Sequence, residues 1–243
     1  MRLYFSGGSK ALLMAGVLLV FAAFTPAVAA TLVVGLPADV GIANCFPFGC
    51  NYDLIVPNGQ YQQVYTHSLF TGPITITGLE FYNTQQDRGG TAMNTGTFTI
   101  SLSTTSVDWY SISTVAANNI GGDNTPVFSG SLVQPWAFGD TLSITFSTPF
   151  TYTPGVNANL LLNVVATGTG DALGDIAFDT NGGVHSDTIF GRNFGGNVNR
   201  GMGLVTGFDT ADTGTSGTPE PATLALLGAG LAGLSLLRKR VRR

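Results

Sequence analysis

Lysine is missing from residues 11–238, and between the two chain ends only Arg88, Arg192 and Arg200 carry positive charge. Thirteen carboxylates stand against those three arginines, a net charge of −10 for residues 31–217. No nucleic-acid partner is expected, because binding one means neutralising phosphates with Lys and Arg. Histidine occurs twice, at His67 and His185, and Glu80 is the one glutamate of this stretch. The nucleophile-elbow pattern G-x-S-x-G is absent. Glycoside hydrolysis needs two carboxylates facing each other across a cleft, and Glu80, between Leu79 and Phe81, reads as a solvent-facing strand residue. His67 and Ser68 are adjacent in a stretch read as strand, where neighbouring side chains point to opposite faces. No catalytic residue is assigned, and the chain is not expected to be an enzyme.

Cysteine is as scarce as histidine. Cys45 and Cys50 bracket Phe46-Pro47-Phe48-Gly49, where Pro and Gly favour a tight turn. In an oxidising compartment the expectation is a local disulfide. Closing so small a loop stabilises by about 2 kcal/mol in the chain-entropy account, enough to pin a loop without holding the fold together. A metal centre on these two thiolates lacks a neighbouring His to complete its ligand set, so no metal is assigned. Asp171, Asp175 and Asp179 fall four apart, which aligns them only on a helix, whereas residues 176–178 read as strand. Asp171 and Asp175, with backbone carbonyls of the Gly-rich loops, are a candidate Ca²⁺ site; a solvated acidic loop is the alternative, and no other cofactor is expected. Trp109-Tyr110 and Trp136 stand in or beside loops, as core or rim packing, the usual place of aromatics next to a sandwich core, or as a sugar-stacking platform.

The chain ends are of a different composition. Arg2 and Lys10, an apolar run over residues 11–24 and the small residues Ala27-Val28-Ala29 make a secretory signal peptide, read as residues 1–30, with cleavage after Ala29 or Ala30 left open. The secretory translocon is the implied partner. At the other end Pro219-Glu220-Pro221 precedes sixteen uncharged residues, 222–237, and a basic cluster of Arg238, Lys239, Arg240, Arg242 and Arg243. As a helix the apolar run is roughly 24 Å long, short of the roughly 30 Å hydrocarbon core. The basic side chains can snorkel to the interface and hold their end in the cytoplasm, which places the preceding domain outside. The prolines keep the Pro-Glu-Pro segment extended just beyond the membrane.

Between these ends the pattern is period two with turn-rich interruptions, and no helical periodicity of useful length. Residues 97–103 and 141–147 alternate as half-buried strands with one wet face. Residues 160–165 are apolar on both faces except at Asn163, the mark of a central strand. Residues 62–66, 176–179 and 204–208 are weaker strands. In residues 74–81 the alternation slips by one at Gly78, which predicts a β-bulge. The expected fold class is all-β: an antiparallel jelly-roll-like β-sandwich over residues 31–209, flanked by the signal-peptide helix and the C-terminal transmembrane helix. Residues 210–217 read as a flexible polar linker and 218–243 as a separate tail.

The tail, Pro-Glu-Pro then transmembrane helix then Arg-rich end, resembles the PEP-CTERM sorting domain of Gram-negative envelope proteins. That resemblance implies recognition at Pro219, Glu220 and Pro221 by exosortase, a membrane peptidase-transpeptidase. It also implies a surface or extracellular-matrix protein associated with exopolysaccharide or biofilm, so polysaccharide is a further candidate partner. The segments NCFPFGCN, YQQVYTHSLFTGPITITGLEFYN and NLLLNV resemble a β domain often attached to such tails, which implies a shared fold and no established activity. A carbohydrate-binding jelly-roll module is the alternative reading.

Overall fold

The computed structural model describes residues 30–35, 43–50, 59–88, 91–168, 176–181 and 190–211. Residues 1–29 of the signal peptide, the sorting tail, Asp171, Asp175 and His185 lie outside the described residues, as does the linker beyond Ala211. Among the described residues twelve strands follow in chain order: β1 Ala30–Val34, β2 Gln60–Tyr65, β3 Ile74–Tyr82, β4 Thr97–Thr105, β5 Thr125–Gly130, β6 Thr141–Tyr152, β7 Asn159–Thr167, β8 Thr180–Asn181, β9 Phe190–Phe194, β10 Asn197–Arg200, β11 Gly203–Leu204 and β12 Thr206–Ala211. They form an antiparallel sandwich. One sheet has the order β1-β12-β3-β6, the other β10-β9-β2-β7-β4-β5, and β11 pairs with β8 in a two-stranded ribbon.

Alternation along each strand sends one set of side chains between the sheets. Ile76, Leu79 and Phe81 of β3 and Leu142, Ile144 and Phe146 of β6 meet Phe98, Ile100 and Leu102 of β4 and Leu160, Leu162 and Val164 of β7 in one core. The NLLLNV stretch lies at the middle of the larger sheet, paired with β2 on one side and β4 on the other, as its two-faced apolarity predicts. The slip at Gly78 is a bulge: against β12 the register shifts between Asp209 and Thr210, and against β6 between Ile76 and Gly78. A side chain on Gly78 would stand 2.7 Å from Asp209 Oδ2 and 2.9 Å from the Ile144 carbonyl oxygen, so the crossing backbones admit only glycine there.

The two alternating strands differ in their outer faces. In β6 the outward Thr141, Ser143, Thr145 and Ser147 are exposed, as expected. In β4 the expected wet face is overturned: Ser101, Ser103 and Thr105 are buried. The cause is a strap, residues 106–124, that leaves β4, folds back over the outer face of the larger sheet and returns as β5. Ile112 from the strap packs on Val64 and Leu161 in a second, smaller apolar cluster. Polar contacts finish the seal, with Asn119 Nδ2 donating to Gln62 Oε1 (2.8 Å), Gln62 Nε2 to Asn163 Oδ1 (3.1 Å) and the Gly121 N–H to Ser103 Oγ (3.1 Å).

Tyrosines close the core at both levels. Burial pushes the Tyr61 hydroxyl up to about 12, with the Arg192 guanidinium beside it pulling the other way. Tyr65, Tyr82 and Tyr152 are raised as well, chiefly by burial. The fold therefore favours the neutral phenols. Their contribution is intact below the unfolded value of about 10 and is lost as pH climbs from there through the folded values. Urea midpoints measured at successive pH should fall above about pH 10, with phenolate absorbance from the buried tyrosines rising in step with unfolding.

Candidate functional site

The residues singled out for chemistry do not converge. His67 and Ser68 are in a short 3₁₀ turn, His67–Leu69, after β2 has ended, and not on a strand as expected, because the chain here leaves one sheet for the other. The His67 N–H donates to Asn159 Oδ1 (2.9 Å), and His67 Nδ1 lies 3.2 Å from the same oxygen. The Ser68 hydroxyl pairs instead with that of Thr66, 3.0 Å away. Glu80 is half-buried on β3 and accepts from the Tyr82 hydroxyl (2.8 Å). Trp136 is no surface platform: it is buried, its ring against Phe178 and its Nε1–H donating to the Ala177 carbonyl (2.9 Å). Tyr110, by contrast, is exposed and Trp109 half-buried beside it, edge to face at 5.5 Å. Among the described residues no three His, Cys, Asp or Glu side chains gather as a metal site.

Two groups do structural work in the core, the first of them at the expected disulfide. Cys45 and Cys50 are joined as a disulfide, Cα atoms 5.1 Å apart. The loop between them delivers Phe48 into the centre of the core, where its ring meets Phe81, Phe98 and Phe178 at 5.1, 5.6 and 5.6 Å. Asp179, the one member of the aspartate triplet in the described residues, is buried. It accepts from the backbone N–H groups of Thr84 (2.7 Å) and Gln85 (2.8 Å) and from the Thr84 hydroxyl (2.5 Å). Asp179→Asn keeps an oxygen for the amides but places a donor opposite the hydroxyl, and urea denaturation should show a loss of about 1–2 kcal/mol.

A cleft of about 310 Å³ opens where the strap meets the β2 and β9 ends. Gln60, Gln62, Asn193 and residues 114–117 line it, and none of its lining side chains is charged. The amides are partly committed to the fold: Asn193 Nδ2 donates to the Ser113 carbonyl (2.8 Å) and Gln60 Nε2 to Asn163 Oδ1 (2.8 Å). Its lining is polar and uncharged, with the Thr114 hydroxyl beside the amides.

The remaining candidate is the tail that follows β12, whose last residue is Ala211. Eight residues further the Pro-Glu-Pro segment begins, and residues 218–240 match a family described as the PEP-CTERM protein-sorting motif. The chain carries a PEP-CTERM sorting signal. The match takes in Pro219, Glu220 and Pro221 with the first three basic residues, and ends before Arg242 and Arg243. No curated protein and no solved structure matches the chain. A PEP-CTERM signal implies secretion, transient membrane anchoring in a Gram-negative envelope and processing by exosortase. Among the described residues no helix is long and apolar enough to cross a membrane.

Proposed function

We propose that this PEP-CTERM protein is a non-enzymatic component of the cell surface or extracellular matrix, released from the inner membrane by exosortase and associated there with exopolysaccharide or biofilm. The observation that carries the reading is the intact order of Pro219-Glu220-Pro221, sixteen uncharged residues and a basic end, behind a disulfide-bonded β-sandwich. An external-face peptidase can reach a proline-stiffened segment just beyond the bilayer, while the basic end holds the helix in place. The matching experiment is mass spectrometry of the C-terminus in isogenic strains with and without exosortase. Loss of the residues after about Pro221 only where exosortase is present supports the reading; an intact C-terminus in both strains overturns it.

A second reading, a carbohydrate-binding jelly-roll module, is favoured by the uncharged, amide-lined cleft at Gln60, Gln62 and Asn193. A glycan array run with and without Ca²⁺ separates it from a purely structural role, and the calcium arm tests the candidate site at Asp171 and Asp175.

A further inference from the structure

Strand direction sorts the molecule into two ends. β12 stops at Ala211 beside Thr75 at the start of β3, and Ile74 pairs with Tyr152 at the finish of β6. Asn159 opens β7 beside Thr105, where β4 closes, and Arg200 at the close of β10 pairs with Gly191 of β9. The tail therefore departs from the end that also carries the 153–158 turn and the start of the strap. Ala222, where the apolar stretch begins, is eleven positions after Ala211, so the strand end lies within about 40 Å of it. The opposite end, with Phe138 between β5 and β6, is a further strand length away, about 30 Å for a nine-residue strand.

The surface chemistry of the tail-bearing end is that of a membrane interface. Tyr110 is 66% exposed and Val156, at the tip of the 153–158 turn, 86%. Trp109 lies against Tyr110, and the Arg200 guanidinium sits 5.3 Å from the Tyr110 ring centre, its Nε–H donating to the Tyr110 carbonyl. Of the domain's three arginines, Arg192 is buried and Arg88 is on the segment after β3, at the other end; Arg200 is the exposed one here. Asp108 is in the same turn, where its carboxylate accepts the Tyr110 N–H (3.3 Å). Tryptophan and tyrosine with an apolar body and a polar edge, joined by arginine, suit the headgroup layer. The turn is also held rigidly: a side chain on Gly191 would come within 2.2 Å of the Trp109 carbonyl oxygen, so the strap lies directly on bare β9 backbone.

We propose that, while the PEP-CTERM tail is inserted, the domain rests on the outer face of the bilayer through Trp109, Tyr110, Val156 and Arg200. The proposal rests on the reading of residues 222–237 as membrane-inserted. It adds an orientation: the tail-bearing end faces lipid, and the amide-lined cleft and Phe138 face away. A domain with a net charge of −10 is repelled by anionic lipid overall, and exposed Asp108 and Asp123 stand at this end beside Arg200, so the contact is carried by the aromatic and apolar side chains, with Arg200 as the cation that meets the headgroups.

The test uses the exported chain, freed of its signal peptide and with its tail intact, in vesicles of phosphatidylethanolamine and phosphatidylglycerol, with part of the lipid brominated on its acyl chains. Flotation reports insertion, and tryptophan emission reports contact. Trp136 is buried and stays unquenched, so quenching in the wild type that disappears in Trp109→Phe supports the proposal. Adding Phe138→Trp to Trp109→Phe supplies a reporter at the far end, which should stay unquenched. Vesicle-bound protein whose Trp109 emission is unaffected by bromolipid, or equal quenching at position 138, overturns the proposal and leaves the tail reading standing. Failure to float overturns both.

Discussion

Glu220→Ala accumulates as a full-length, membrane-bound precursor in a strain that expresses exosortase; this is the largest effect expected of any single substitution in the chain. The change leaves the sixteen-residue apolar stretch and the basic cluster from Arg238 to Arg243 untouched, so targeting and insertion proceed as in the wild type. It removes the one charge between Pro219 and Pro221, the feature that distinguishes the sorting motif from an ordinary anchor. Processing then fails while membrane residence persists. Membrane fractionation with intact-mass measurement of the C-terminus reads both. Identical processed C-termini in wild type and variant would show that the glutamate has no part in recognition.

The second large effect is within the core. Phe48→Ala should cost about 3–5 kcal/mol in urea denaturation, because the ring is fully buried among Phe81, Phe98 and Phe178 and nothing nearby can fill the space. Cys45→Ser should cost about 2 kcal/mol at most and leave the sandwich folded, since the disulfide closes a loop of only a few residues. The ranking is informative in itself. The covalent link tethers a plug, and the plug contributes more than the link: Asn94 also grips the loop, with its N–H donating to the Phe48 carbonyl (2.8 Å) and its Nδ2 to that of Cys50. A Cys45→Ser loss as large as that of Phe48→Ala would mean that the disulfide, and not the aromatic packing, seats the loop.

Sequence pattern made the architecture readable wherever burial depends on alternation alone. β7 announces itself by apolar residues on both faces, the bulge by the phase slip at Gly78, and the sorting tail by composition that changes within a few residues. What escaped depends on contacts between distant segments. The strap has turn-like composition and no period, and it seals β4 through hydrogen bonds such as Asn119 to Gln62, 57 positions apart. Trp136 is in the core, as expected of an aromatic beside a sandwich, but the acceptor that holds its indole, the Ala177 carbonyl, is 41 positions away. Asp179 holds the turn after β3 from 95 positions away. β1 is a different case. Its ATLVV segment straddles the border between signal peptide and domain, so the strand pattern there is cut by the cleavage site.

The partner strand of β1 gives it a role in time. Ala30 pairs with Thr210, and β12 lies between β1 and β3 although it is the last strand made. A chain exported from its N-terminus delivers β1 first and must then keep two unpaired strand edges waiting until residues 206–211 have crossed. The four-stranded sheet is completed only by the final stretch of the domain, immediately ahead of the sorting motif. Until that moment the open edges on β1 and β3 are templates for other chains, so a pause late in translocation is more hazardous to this protein than one early on.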